Sequence, residues 1–183
     1  MAKILMVTAP KNFRDEELFI PKEKFENAGH EVVIASNKVG VCKGTLGGEI
    51  SSDMLLKDVN VDDFQAVVFV GGTGSDVFFN DENALKIARE ADKKGKVLSA
   101  ICIAPMVLAN AGVLTGKKAT VWSGESENLK SKSVIYTGES VTVDGKIITG
   151  NGPASAGLFG EKICEADRKS TRLNSSHGRR SRM

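Results

Sequence analysis

The sequence predicts an α/β fold, a mostly parallel sheet with helices on both of its faces. Three observations carry this expectation. Apolar runs at 3–8, 66–70 and 96–100 lack the alternation of half-exposed strands, as strands buried on both faces do. Segments with helical spacing separate them, which is what crossovers in a parallel sheet require. Glycine-bearing turns follow the strands, at the edge where ligands of such sheets collect.

In chain order, 3–8 and 31–35 read as strands. Between them 21–27 reads as a helix, with Pro21 in its first turn and Gly29 at its C-cap. The small-residue stretch 40–48 predicts a short hairpin. A buried strand at 66–70, a glycine loop and a helix over 82–93 follow; Leu85, Ile87, Ala88 and Ala91 supply the helix's apolar positions and Gly95 ends it. Residues 96–100 return as a strand, 105–111 as a helix closed by Gly112, and 141–148 as a hairpin through Asp144-Gly145. A last helix spans 154–166.

At 183 residues the chain is long enough for one well-buried domain and too short for two of ordinary size. No stretch approaches the roughly 18–20 apolar residues of a membrane span. The N-terminus enters a strand at once, with no signal-peptide pattern, so a cytoplasmic protein is expected. Cys42, Cys102 and Cys164 are odd in number and form no CxxC pair, which argues against a disulfide scaffold or a cysteine zinc site. No metal and no cofactor are called for.

The formal charge of +2 misleads. Residues 167–183 hold six Lys/Arg and one acid, leaving 19 bases against 22 acids in the body. A nucleic-acid partner therefore loses its electrostatic support. Residues 1–166 read as the folded domain. Residues 167–183, aperiodic and basic, read as a disordered tail; they resemble translated adapter readthrough and are set aside from fold reasoning.

Three segments can carry chemistry. Ala100-Ile101-Cys102-Ile103-Ala104-Pro105 follows a strand and opens a helix. Small residues two positions either side of Cys102 suit a nucleophile elbow, whose tight turn crowds those neighbours; an inert buried cysteine fits the same residues. The loop Gly71-Gly72-Thr73-Gly74 can aim backbone N–H groups at an anion. It reads either as half of an oxyanion site, Gly72 N–H with Ile103 N–H, or as an ordinary strand-to-helix turn. Arg14-Asp15-Glu16-Glu17 follows the first strand; the acids either complement a helix dipole or send one carboxylate to the Cys102 sulfur.

Taken in order, Phe13-x-Asp15-x-Glu17-Leu18, Ala28-Gly29-His30-Glu31-Val32, Gly71-Gly72 and Ala100-Ile101-Cys102-x-Ala104-Pro105 resemble the ThiJ/PfpI superfamily. That family comprises the Parkinsonism-associated deglycases, PfpI-type intracellular proteases and class III glyoxalases. The resemblance covers about 3–166. It implies a flavodoxin-like three-layer sandwich of class I glutamine amidotransferase type, usually a homodimer. It further implies Cys102 as nucleophile, Glu17 as the carboxylate that contacts it, and Gly72 with Ile103 as oxyanion donors. Gly71 and Arg14 border that site, Arg14 standing where several protease-type members carry Glu. Protease-type members place His directly after the cysteine; here Ile103 stands there, and Val121-Trp122-Ser123 replaces a later His-bearing loop. His30 is expected on the surface at the opposite sheet edge, and Cys42 and Cys164 in packing.

The expected function is a cysteine-dependent enzyme acting on small carbonyl compounds, glyoxalase- or deglycase-like, with an ionised Cys102 and Glu17 as proton carrier. A redox-sensing or chaperone-like stress protein built on an oxidisable Cys102 is the alternative. A peptidase or amidohydrolase ranks last, for want of a histidine beside the cysteine.

Overall fold

The computed structural model describes residues 2–181. Its elements are β1 (Lys3–Val7), β2 (Lys11–Phe13), α1 (Asp15–Asn27), β3 (Glu31–Ser36), β4 (Gly40–Gly44), β5 (Glu49–Ser52) and β6 (Met54–Leu55). There follow β7 (Ala66–Phe69), α2 (Glu82–Lys93), β8 (Val97–Ile101), α3 (Pro105–Asn110) and β9 (Lys118–Ala119). The chain closes with α4 (Ser126–Lys130), β10 (Ile135–Tyr136), β11 (Val141–Asp144), β12 (Ile147–Gly150) and α5 (Ala156–Ser181).

The main sheet has the order β11-β12-β8-β7-β1-β3-β6. Its neighbours run parallel except for the antiparallel pair β11–β12. Strand residues alternate between two cores. Ile4, Met6, Ala66 and Val68 meet Leu18, Phe25, Phe159 and Ile163 of α1 and α5. Leu5, Val7, Val67 and Phe69 meet Leu85, Ile87, Met106 and Leu108 of α2 and α3. Both faces being covered, the strands read as unbroken apolar runs. The α/β three-layer expectation is met.

α2 shows why these segments become helices. Asp81 caps it, its carboxylate accepting from Ala84 N at 2.9 Å, and Ala84, Leu85, Ile87, Ala88 and Ala91 form one buried stripe.

α1 begins six residues before the predicted start. Asp15, Glu16 and Glu17 occupy its first turn, where carboxylates favour the helix dipole, and Pro21 lies inside the helix. A proline there removes the donor to the Glu17 carbonyl. Close packing offsets the loss: a Cβ on Gly160 of α5 would sit 3.1 Å from Pro21 Cα.

α5 passes the domain boundary expected at 166. It continues to Ser181, through residues read as a disordered tail from 167. The spacing Phe159, Ile163, Asp167 keeps one helix face inward, and all three are buried. Asp167 Oδ2 lies 3.5 Å from His30 Nε2, and Glu165 pairs with Lys169 at 3.2 Å. His30 is correspondingly no surface residue, its side chain being 11% exposed. The tail's last two residues, 182 and 183, lie outside the described residues.

β4 and β5 form the predicted hairpin and join β2 in a second sheet. The Asp15 carboxylate ties the hairpin tip to α1, accepting from Leu46 N at 2.8 Å and Gly48 N at 2.7 Å. Asp15→Ala leaves both amides unpaired. We expect a loss of about 1–3 kcal/mol in urea unfolding, since bonds to charged groups are the stronger ones. A change within about 0.5 kcal/mol would show that the tie carries no stability. Among the described residues no helix is long and apolar enough to cross a membrane.

Candidate active site

β1, β7 and β8 are neighbours in the sheet, so the segments after them meet at one edge. The chain turns one way after β1, to β3, and the other way from β7 to β8. This reversal of strand order is where open α/β sheets place their ligands.

Cys102 follows β8 directly and has φ +66°, a left-handed conformation. A non-glycine residue held there costs of order 1 kcal/mol or more and needs surroundings that enforce it. Those surroundings are present. Cys102 N donates to Gly150 O at 3.0 Å, Cys102 O accepts from Trp122 N at 2.8 Å, and Ala104 N bonds Ile101 O at 3.1 Å. Ala100 and Ala104 are buried, as the tight turn demands. Cys102 itself is half-buried.

The glycine loop closes over the other side. Arg14 N donates to Gly71 O at 2.9 Å, fixing the start of α1 against it. Gly72 has φ +106°, and a Cβ there would strike the backbone of Asn12, Phe13 and Arg14. A Cβ on Gly71 would collide with Glu17 Oε1, Ile101 O and Cys102 Cβ. The Glu17 carboxyl, the elbow and this loop thus border one space that admits no methyl group. The Gly72 and Ile103 amides both act to lower the pKa of the Cys102 thiol.

Glu17 reaches this point because it shares a helix face with Leu18, Pro21 and Phe25, the buried side of α1. It is fully buried. Neither carboxyl oxygen has a well-formed hydrogen bond; the Cys102 thiol stands in range but outside good geometry. Burial pushes its pKa up to about 8, opposed by the Cys102 contact and by Arg14. Cys102 is pushed up to about 11, by burial first and then by the Glu17 charge, against the Gly72 and Ile103 amides. Desolvation outweighs the amides and so opposes the ionised thiol expected from the sequence.

Arg14 is not brought onto the sulfur. Its Nε and Nη2 hold Glu16 at 2.9–3.2 Å, and its charge acts on Glu17 from a distance. Cys42 and Cys164 are buried, and burial raises both thiols. His30 lies against Ala2 N and Asp167, at the far end of β1 and β3, so it does not approach the elbow. Among the described residues no three His, Cys, Asp or Glu gather as metal ligands.

Two features escaped the sequence reading. Asn12, φ +57°, is a second left-handed residue beside the glycine loop; nothing local marked it, apart from asparagine's tolerance of that region. The Trp122 backbone tie to Cys102 joins two distant loops.

Comparison with known proteins agrees with this fold. A protein of Methanocaldococcus jannaschii is 46% identical over 171 residues, covering 92% of this chain and 83% of that one. The deglycase PfpI of Pyrococcus furiosus is 36% identical, over 82% of this chain and 90% of its own. The crystal structure of a ThiJ/PfpI domain protein from Brachyspira murdochii superposes with TM-score 0.88 at 32% identity, covering 94% of this chain and 96% of that one. The family model of the DJ-1/PfpI family matches residues 2–166, and the chain belongs to that family.

Proposed function

We propose that this chain is a cysteine-dependent enzyme acting on small reactive carbonyl compounds, in the manner of a glyoxalase or deglycase. The observation that carries this reading is a fully buried, unpaired Glu17 carboxyl beside the Cys102 thiol, with two backbone amides facing the sulfur. The relative from Pyrococcus furiosus, named a deglycase, supports it.

For an α-oxoaldehyde such as methylglyoxal the steps balance without a cofactor. Glu17, ionised, takes the thiol proton as sulfur attacks the aldehyde carbon, forming a C–S bond and an oxyanion held by the Gly72 and Ile103 amides. The oxyanion takes that proton from Glu17 and gives a hemithioacetal, which leaves Glu17 a carboxylate again. Glu17 carboxylate then removes the C1 proton to an enediol, and the proton returns at C2. C1 is oxidised to a thioester while C2 is reduced to an alcohol. Water releases lactate and restores the thiol. Glu17 suits this traffic because its raised pKa lies near working pH.

The test is lactate formation from methylglyoxal by wild type, Cys102→Ser and Glu17→Ala. Wild-type turnover at least about 10³-fold above Cys102→Ser is expected, as for loss of a nucleophile. Equal rates would refute the reading. His30, remote from the elbow, weighs against a Cys-His peptidase.

The reading carries with it a cytoplasmic homodimer. Val39, Val41 and Leu46, exposed on the β4–β5 hairpin, offer apolar surface for self-association.

A further inference from the structure

We propose that Trp122 is a specificity-determining wall of the Cys102 site, favouring α-oxoaldehydes that carry an aromatic substituent over those that carry a methyl group. This rests on the carbonyl reading above.

Trp122 is the chain's single tryptophan and is 48% exposed. So large an apolar side chain, left half in water, has an unused face to offer. Its position is fixed from the elbow outward. Its N–H donates to the Cys102 carbonyl at 2.8 Å, and Cys102 N–H in turn donates to Gly150 O at 3.0 Å. Two residues beyond Gly150, a Cβ on Gly152 would lie 3.3 Å from Trp122 Cε3 and 3.4 Å from Cζ3. On another edge, a Cβ on Gly124 would lie 3.2 Å from Cδ1 and Nε1. Two glycines therefore let the indole settle closely without covering it, on a residue one backbone hydrogen bond from the one that bears the sulfur. A ring held in this way loses little conformational freedom when a second ring stacks on it.

The charged groups nearby offer no competing recognition. Arg14 is engaged by Glu16, and the Glu125 carboxylate is engaged by Asn128 Nδ2 at 2.8 Å.

The tie to Cys102 uses the Trp122 backbone N–H, so replacing the side chain leaves the elbow's anchor in place. Initial kcat/KM is measured for phenylglyoxal and methylglyoxal in wild type, Trp122→Ala and Trp122→Phe. Wild type is expected to prefer phenylglyoxal by about tenfold, the scale of an aromatic contact with its buried area. Trp122→Ala is expected to bring the ratio near one, mainly through KM, and Trp122→Phe to restore most of it. A second readout does not depend on turnover. The stable products mandelate and lactate are titrated against the fluorescence of the lone tryptophan, with mandelate expected to give a saturable change at concentrations where lactate gives none. A preference unchanged in Trp122→Ala, or identical responses to the two acids, overturns the proposal. A mandelate response in a protein with no turnover would sink the catalytic reading and leave the aromatic wall standing.

Discussion

Glu17→Gln is expected to abolish turnover and to make the protein more stable, with the gain growing as pH rises. The sign follows from the direction of the shift. An ordinary glutamate loses its proton near 4.5, whereas burial holds Glu17 protonated up to about 8. The folded state therefore keeps a proton that the unfolded chain gives up. Stability associated with this group is fully present below about 4.5 and is lost progressively as pH rises toward 8. Glutamine has nothing to ionise and does not share the loss. The two proteins should melt at similar temperatures at pH 4.5. By pH 8.5 the variant should gain up to about 5 kcal/mol, on the order of 10–20 °C in Tm. Calorimetry across that range checks it. A difference in Tm that does not change with pH would mean that Glu17 ionises in the fold at its ordinary pKa. Losing both the thiol's base and the C1 proton acceptor, the variant should fall by at least about 10²-fold in kcat/KM, the lower scale of general-base contributions.

Gly71→Ala is expected to cost about 100-fold in activity and more than 1 kcal/mol of stability. The added methyl group would overlap Glu17 Oε1, Ile101 O and Cys102 Cβ at once. One neighbour is main-chain carbonyl and another belongs to the strained elbow, so nothing flexible can yield. Overpacking of this kind typically costs about 1–3 kcal/mol, and a shift of about 1 Å between reacting groups can cost 10²-fold. Gly157→Ala in α5 is the control: its Cβ would meet only Lys24 Cε at 3.8 Å, and alanine favours helix over glycine by up to about 1 kcal/mol. If both variants behave like wild type, the tight junction of the three loops is not real.

Much of this site is local in the sequence. The small-x-Cys-x-small pattern marks the elbow because tight turns crowd positions 100 and 104, and the pattern needs no knowledge of the rest of the chain. The glycine loop is legible for a similar reason, since Gly72 sits at φ +106°. Choosing Glu17 from three consecutive acids was harder. The spacing Glu17, Pro21, Phe25 identifies it, but only once α1 is allowed to begin at Asp15; reading Pro21 as a first-turn residue hid that stripe. Arg14 was expected to border the site, and its guanidinium is engaged by Glu16 instead. The continuation of α5 was missed because Asp167 scores as a solvated charge, whereas in three dimensions it occupies an inward position opposite His30. The requirement for no side chain at Gly71 arises from atoms of residues 17, 101 and 102, and no local pattern encodes it.

The reacting groups come from three stretches of chain that lie far apart in sequence and stand next to one another only after β1, β7 and β8 have paired. Such long-range pairing is slow to form compared with local helix. On dilution from denaturant, helical signal should therefore return before Cys102 becomes protected from labelling, since folding buries the thiol and raises its pKa. The thiol becomes a clock for assembly of the sheet's centre, readable by quenched labelling even before any substrate is known.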